Sequence, residues 1–194
     1  MMETYLSLYM VFVMSLRCGV TNLSPETLEQ LDTLTLEVLA DKIIAEHHEY
    51  IRETGPELVR LGGKLLAAHG DDSETIQTLV PLINALIDDL TPHLFKEEKI
   101  LFPAIRGLAT GEPTQSCFGH IGNPIRMMLH EHNEADEIVL AIQKVTHNFT
   151  APKEACKTWQ TCYQLLSEFC QDLINHIHVE DTILFPKSIA LADQ

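Results

Sequence analysis

The chain has 194 residues and a mass of 21.8 kDa, the size of about one domain. It carries 28 acidic residues against 13 Lys plus Arg, a formal charge of −15 that repels nucleic acid and anionic membrane surfaces and sets both aside as partners. With 45% hydrophobic and 21% charged residues the composition is globular, and no apolar run reaches the ~18 residues that suggest a membrane span.

Residues 5–16 are apolar enough to resemble the core of a signal peptide. No Lys or Arg precedes them, however, and Leu16-Arg17-Cys18 follows in place of a small-x-small cleavage pattern, so the expectation is a cytoplasmic protein. The five cysteines (Cys18, Cys117, Cys156, Cys162 and Cys170) are odd in number and form no Cys-x-x-Cys pair. They read as free thiols in a reducing compartment. Residues 1–35 read as a short N-terminal extension to a single helical domain, residues 36–194.

From about residue 35 onward the apolar pattern is helical, and no useful stretch alternates as a strand would. The first predicted helix covers 36–68 and stops at His69-Gly70. The second starts at Asp71, with Glu74 three residues on in a capping-box pattern, and runs to about 108. Residues 110–122 hold three glycines and a proline and read as a loop. The third helix starts at Asn123-Pro124, a cap followed by proline in the first turn, and ends near 148. The fourth begins after Thr150-Ala151-Pro152 and runs to about 190. The fold class expected is all-α, an up-down four-helix bundle with pseudo-two-fold symmetry.

That symmetry comes from an internal repeat. Residues 89–103 read DLTPHLFKEEKILFP and residues 172–186 read DLINHIHVEDTILFP, identical at eight of fifteen positions at an offset of 83. The identities include His93/His176, Glu97/Glu180 and the closing Ile-Leu-Phe-Pro. Upstream, His48 in AEHHE and His132 in HEHNE stand 84 apart. Packing of a duplicated helical hairpin explains a repeated ILFP. It does not explain repeated His and Glu, because polar groups on a buried face are costly unless paired or bound to metal.

His93 and Glu97 lie one turn apart, about 40° around the helix and ~6 Å along it, and His176 and Glu180 do the same. Such pairs can ligate one ion, and a carboxylate can bridge two ions through its two oxygens. With His48 and His132 from the remaining helices, the interior gathers four imidazoles and two carboxylates. This mixed set suits two ions of iron, manganese or zinc; copper is disfavoured because no thiolate or thioether accompanies the histidines. His69 and His147 lie about 31 Å and 22 Å along their helices from His48 and His132, too far to share the site. His178 and His130 face elsewhere, at about 200° from their neighbours. His47 lies only about 100° from His48 and competes with it; the 84-residue offset to His132 selects His48. Asp89 and Asp172, one turn before the repeated histidines, read either as acceptors for imidazole N–H groups or as exposed acids. Glu131 and Glu134, flanking His132, read as solvated.

Taken together, the paired His-x-x-x-Glu segments ending in ILFP, PELVRL after His48, EHNEADE around His132 and NFTAPKEACKTW before the last helix resemble the repair-of-iron-centres family of hemerythrin-like proteins. The resemblance covers roughly residues 38–190. It implies a four-helix bundle with two non-haem iron ions bridged by carboxylates and an oxo or hydroxo group. The family's ligands would fall on His48, His93, Glu97, His132, His176 and Glu180, the six that spacing selects. It further implies repair of iron–sulfur clusters damaged by nitrosative or oxidative stress, by iron supply and with nitric oxide binding or reduction at the same centre. Its partners would be damaged iron–sulfur proteins and the small molecules nitric oxide or oxygen, and a homodimer is a further expectation. The alternative function is a hemerythrin-like module that binds or senses oxygen or nitric oxide, although oxygen-carrying hemerythrin uses more protein ligands, five of them histidine. A ferritin-like oxidase would call for Glu-x-x-His pairs, and the sequence has none. One feature departs from the family: its N-terminal Cys-Cys-Gly-Gly segment is reduced here to Cys18-Gly19.

Overall fold

The computed structural model describes residues 20–111 and 118–194. The apolar segment 5–16, Cys18, Cys117 and the middle of the 110–122 loop lie outside the described residues. Among the described residues the structure is helical, with no strand.

Helix α1, Pro25–Asp32, was not expected from the sequence. Its start is nonetheless well marked. Ser24 caps it by accepting the Thr27 N–H, Pro25 occupies the first turn where an N–H would be unsatisfied, and Glu26 sits at the positive end of the helix dipole. It lies within the expected extension and buries Leu31.

Four long rods follow. Rod α2 consists of Leu36–Ile43, a π turn Ile44–His48 and Glu49–His69. Rod α3 consists of Glu74–Lys96, a π turn Glu97–Leu101 and Phe102–Thr110. Rod α4 is Gly122–Val145. Rod α5 consists of Lys157–Val179, a π turn Glu180–Leu184 and Phe185–Ala192. Rod α3 starts later than the capping-box pattern predicts. Ser73, not Asp71, is the N-cap, its side chain accepting from the Ile76 N–H. Gly111, at φ +70°, closes α3 in the left-handed conformation that glycine adopts without steric cost. Rod α4 ends at three successive left-handed residues, His147, Asn148 and Phe149, and Thr146 Oγ1 accepts the Phe149 N–H at 3.0 Å.

The repeated ILFP accounts for two of the π turns. In a regular α-helix the Pro103 ring would press on the carbonyl of Lys99, four residues back, and the proline has no N–H to donate. The wider turn just before it relieves that crowding: the Phe102 N–H bonds the Glu97 carbonyl, five residues back. Phe185 and Glu180 repeat this arrangement ahead of Pro186.

Rod α2 packs along α3 and α5, and α3 packs along α4, with a lighter α4–α5 contact. The core has two apolar clusters. One runs from Ile51 to Leu65 on α2 and takes in Ile76–Leu94, Ala135–Ile142 and Trp159–Ile177. The other joins α1, Leu36–Ile43, Leu101–Ile105, Ile121–Met128 and Val179–Phe185. Each rod passes from one cluster to the other, and the buried polar residues lie at the crossing. Burying a polar layer between two apolar clusters is costly unless every group in it is satisfied. The segment before α1 is tied to α5 by Asn175, which accepts from Thr21 Oγ1 at 2.9 Å and donates to Asn22 Oδ1 at 2.8 Å.

No helix of the described residues is long and apolar enough to cross a membrane.

Candidate metal centre

His48, His93, Glu97, His132, His176 and Glu180 are all buried and all converge at the crossing layer. Rod α2 supplies His48, α3 His93 and Glu97, α4 His132, and α5 His176 and Glu180. The four imidazoles form two pairs. His48 Nε2 faces His176 Nε2 at 3.2 Å, and His93 Nε2 faces His132 Nε2 at 3.3 Å.

Each carboxylate spans both pairs. Glu97 places Oε2 3.4 Å from His48 Nε2 and Oε1 3.4 Å from His93 Nε2. Glu180 places Oε1 3.2 Å from His176 Nε2 and Oε2 3.3 Å from His132 Nε2. Two four-residue groups result, His48/Glu97/His176/Glu180 and His93/Glu97/His132/Glu180. Within each group the donor atoms lie within 4.8 Å of one another. Two donors bound ~2.1 Å from one ion, at angles between octahedral and tetrahedral, stand about 3.0–3.4 Å apart. The observed separations fall in that range or at its edge.

Three of the four rings are oriented by carboxylates behind them. His48 Nδ1 donates to Glu98 at 2.9 Å, His93 Nδ1 to Glu131 at 2.9 Å, and His132 Nδ1 to Asp181 at 2.8 Å. With the proton held on Nδ1, the neutral ring turns its Nε2 lone pair inward. Lone pairs facing at 3.2–3.3 Å, beside four carboxylate oxygens that are buried with no hydrogen-bond partner, repel unless cations or protons lie among them. The donor set therefore fits two cations. Arg52 pairs with Glu98 and Lys96 with Glu131, so positive charge balances two of the outer carboxylates from the surface. Phe102 stacks on His48 (centroids 5.7 Å apart) and Phe185 on His132 (5.8 Å), so the ILFP repeat also walls the imidazoles.

The electrostatics without metal follow from the same contacts. Burial opposes an imidazolium at His93, but the Glu97 and Glu131 carboxylates outweigh it and push the group up to about 9. His48 is raised against its burial by Glu97, and His132 is raised well above its usual value by Asp181 and Glu180. His176 is lowered: burial dominates there. Burial works against ionisation of Glu97, yet His93 and His48 hold its carboxyl well below the usual range. Glu180 is also lowered, with His176 and His132 overcoming burial and the neighbouring Glu97 charge.

The remaining expectations divide. His48, not His47, enters the cluster; His47 instead bonds Asp172 at 2.9 Å. Asp172 therefore serves a histidine, though not His176. Asp89 is exposed and bonds neither ring. Glu134 is exposed as expected. The reading of Glu131 as solvated is wrong: it is part-buried and orients His93 across the α3–α4 interface. Glu98 and Asp181 were missed, although they occupy corresponding positions of the repeat, each directly after a glutamate of the layer. His69 and His147 lie away from the layer, His69 against Cys156 and Trp159. A cavity of about 520 Å³ opens between α3 and α4 and reaches His93 and His132, past Asp89, Glu131 and Ile138.

Comparison with known proteins identifies the family. Residues 39–188 match the family model described as the hemerythrin HHE cation binding domain. The iron–sulfur cluster repair protein YtfE of Salmonella paratyphi B is 37% identical over 152 residues, 78% of this chain and 66% of that protein. The YtfE proteins of Salmonella newport and Salmonella heidelberg match to the same extent. The match thus spans just under two thirds of the length of these relatives. With the family model covering most of the chain and ending beyond every residue of the polar layer, the chain belongs to the hemerythrin HHE cation binding domain family.

Proposed function

We propose that this chain is a di-iron protein that supplies iron to iron–sulfur clusters damaged by nitrosative or oxidative stress. The observation that carries the reading is the sharing of Glu97 and Glu180 between two imidazole pairs, with four carboxylate oxygens that no hydrogen bond satisfies. In this reading His48, His93, His132 and His176 are terminal ligands, Glu97 and Glu180 bridge, and residues 36–194 form an up-down four-helix bundle around them. The repair role is supported by the name of the Salmonella relatives.

The residues divide the work. Glu98, Glu131 and Asp181 hold the Nδ1 protons, so that each Nε2 presents a lone pair. The two apolar clusters close the layer along the rods on either side, and the cavity between α3 and α4 reaches it from the flank. Iron bound there would supply a redox-active Lewis acid. Each ion would meet two nitrogens and two shared oxygens, a set of four that leaves it open to exchange, as a cargo site requires. The cavity between α3 and α4 favours a second reading, binding of nitric oxide or oxygen, because it offers a small molecule an approach to His93 and His132. In this reading the setting is a reducing cytoplasm, and among the described residues Cys156, Cys162 and Cys170 form no disulfide.

The test is to load the protein with ferrous iron and incubate it anaerobically with an iron–sulfur enzyme stripped of its cluster, with sulfide and a thiol reductant. The expected result is faster recovery of the enzyme than with the same amount of free ferrous iron. Equal recovery would remove the iron-supply reading.

A further inference from the structure

The two halves of the layer match in the rings stacked on His48 and His132 and in the carboxylates behind them, and differ in what stands behind the other two imidazoles. His48 and His132 correspond, as do Phe102 and Phe185, which stack on them, and Glu98 and Asp181, which take their Nδ1 protons. His93 and His176 correspond as well. The Nδ1 of His93 is held by Glu131 at 2.9 Å, whereas the Nδ1 of His176 is buried with no hydrogen-bond partner. The 84-residue offset that relates His48 to His132 also relates His47 to Glu131. His47 does stand against His176: the rings are stacked, 5.5 Å between centroids and 11° from parallel. An imidazole there cannot do what Glu131 does. Its Nδ1 bonds Asp172 instead, and its ring lies face to face with His176 rather than in line with its N–H.

We propose that the two cation positions are held unequally, and that the His48/His176 position releases its ion first because His47 replaces the carboxylate that Glu131 provides on the other side. This rests on the metal-binding reading above. A carboxylate on the far nitrogen fixes the tautomer of a ligating imidazole and raises its basicity, and loss of such a partner typically costs ten- to a hundredfold in metal affinity. His176 has no such partner, while His48, His93 and His132 each have one. The outer lysine and arginine do not offset the difference, since Lys96 backs Glu131 and Arg52 backs Glu98, one on each side.

The experiment loads the full chain with two equivalents of ferrous iron under anaerobic conditions and follows loss of the metal to excess chelator. Two phases of equal amplitude, at least tenfold apart in rate, are expected. Glu131→Gln should speed the slow phase about tenfold and leave the fast phase alone. His47→Glu, which sets a carboxylate opposite His176, should slow the fast phase and leave the slow one alone. Uptake of two ions followed by release in a single phase overturns the proposal, as does either variant acting on the other's phase. Uptake of fewer than two ions overturns the two-ion centre itself, and this proposal with it.

Discussion

Asp181 Oδ1 accepts the His132 Nδ1–H at 2.8 Å, and both residues are buried on different rods. The contact fixes the ring of His132 from behind, so that its Nε2 points between the two glutamates. Asp181→Asn keeps the shape and removes the charge. It should lower the affinity for a divalent cation by about ten- to a hundredfold with the helical fold intact. Competition with a chromophoric chelator, alongside circular dichroism, would show this; unchanged affinity would remove Asp181 from the centre.

Glu97 reaches both imidazole pairs, one oxygen to each. Glu97→Gln should therefore affect both positions at once. The metal content after loading and desalting should fall from two ions per chain to one or none, read by elemental analysis. If the variant still retained two ions, Glu97 would not be a bridge.

Metal loading should release protons. In the metal-free protein His93 is pushed up to about 9 and His132 is raised well above its usual value, so both hold protons near neutrality, and His48 is raised in the same direction. A cation displaces those protons, and apparent affinity should rise as pH increases toward 9. Proton release on adding metal to weakly buffered protein at pH 7 measures it directly.

The metal-free fold should respond to pH in the opposite direction. His93 is raised in the folded state, so its contribution to stability is full below its unfolded value of about 6.5 and is lost as pH rises through about 9. Glu97 and Glu180 are lowered, so their contribution is present above about 4.5 and lost as pH falls through their folded values. His176, lowered by burial, offsets a part of the histidine contribution below about 6.5. The Tm of the metal-free protein should therefore be lower at pH 9 than at pH 6, and saturating metal should remove or reverse the difference.

Phe102 is fully buried and stacks on His48. Phe102→Ala should destabilise the metal-free protein by about 3–5 kcal/mol through the cavity it leaves. Urea unfolding would measure this. The loss of the ring wall should also weaken metal retention, which a distant core truncation such as Leu79→Ala should not do.

The four rods and the six residues of the layer were legible in the sequence because their signals are periodic along a single chain. A His-x-x-x-Glu pair lies on one face of any helix, and its recurrence at a fixed offset marks the face as more than packing. Helix α1 was missed although Ser24-Pro25-Glu26 announces it, since two turns give too few apolar positions for a period to stand out. The π turns were missed too. Two of them sit just before the proline of the repeat, a signal that reads equally well as core, and the third, Ile44–His48, has no proline after it.

The partners behind the imidazoles were decided only by tertiary structure. His48 with Glu98, His93 with Glu131 and His132 with Asp181 each join two rods. Glu131 looks no different in sequence from Glu134, three residues on, and only the packing of α3 on α4 makes one a partner of His93 and leaves the other in water. His47 beside His176 is the same case. Helical periodicity says which residues share a face of one rod. Which face of the next rod it meets depends on how all the rods pack together, and no local spacing encodes that.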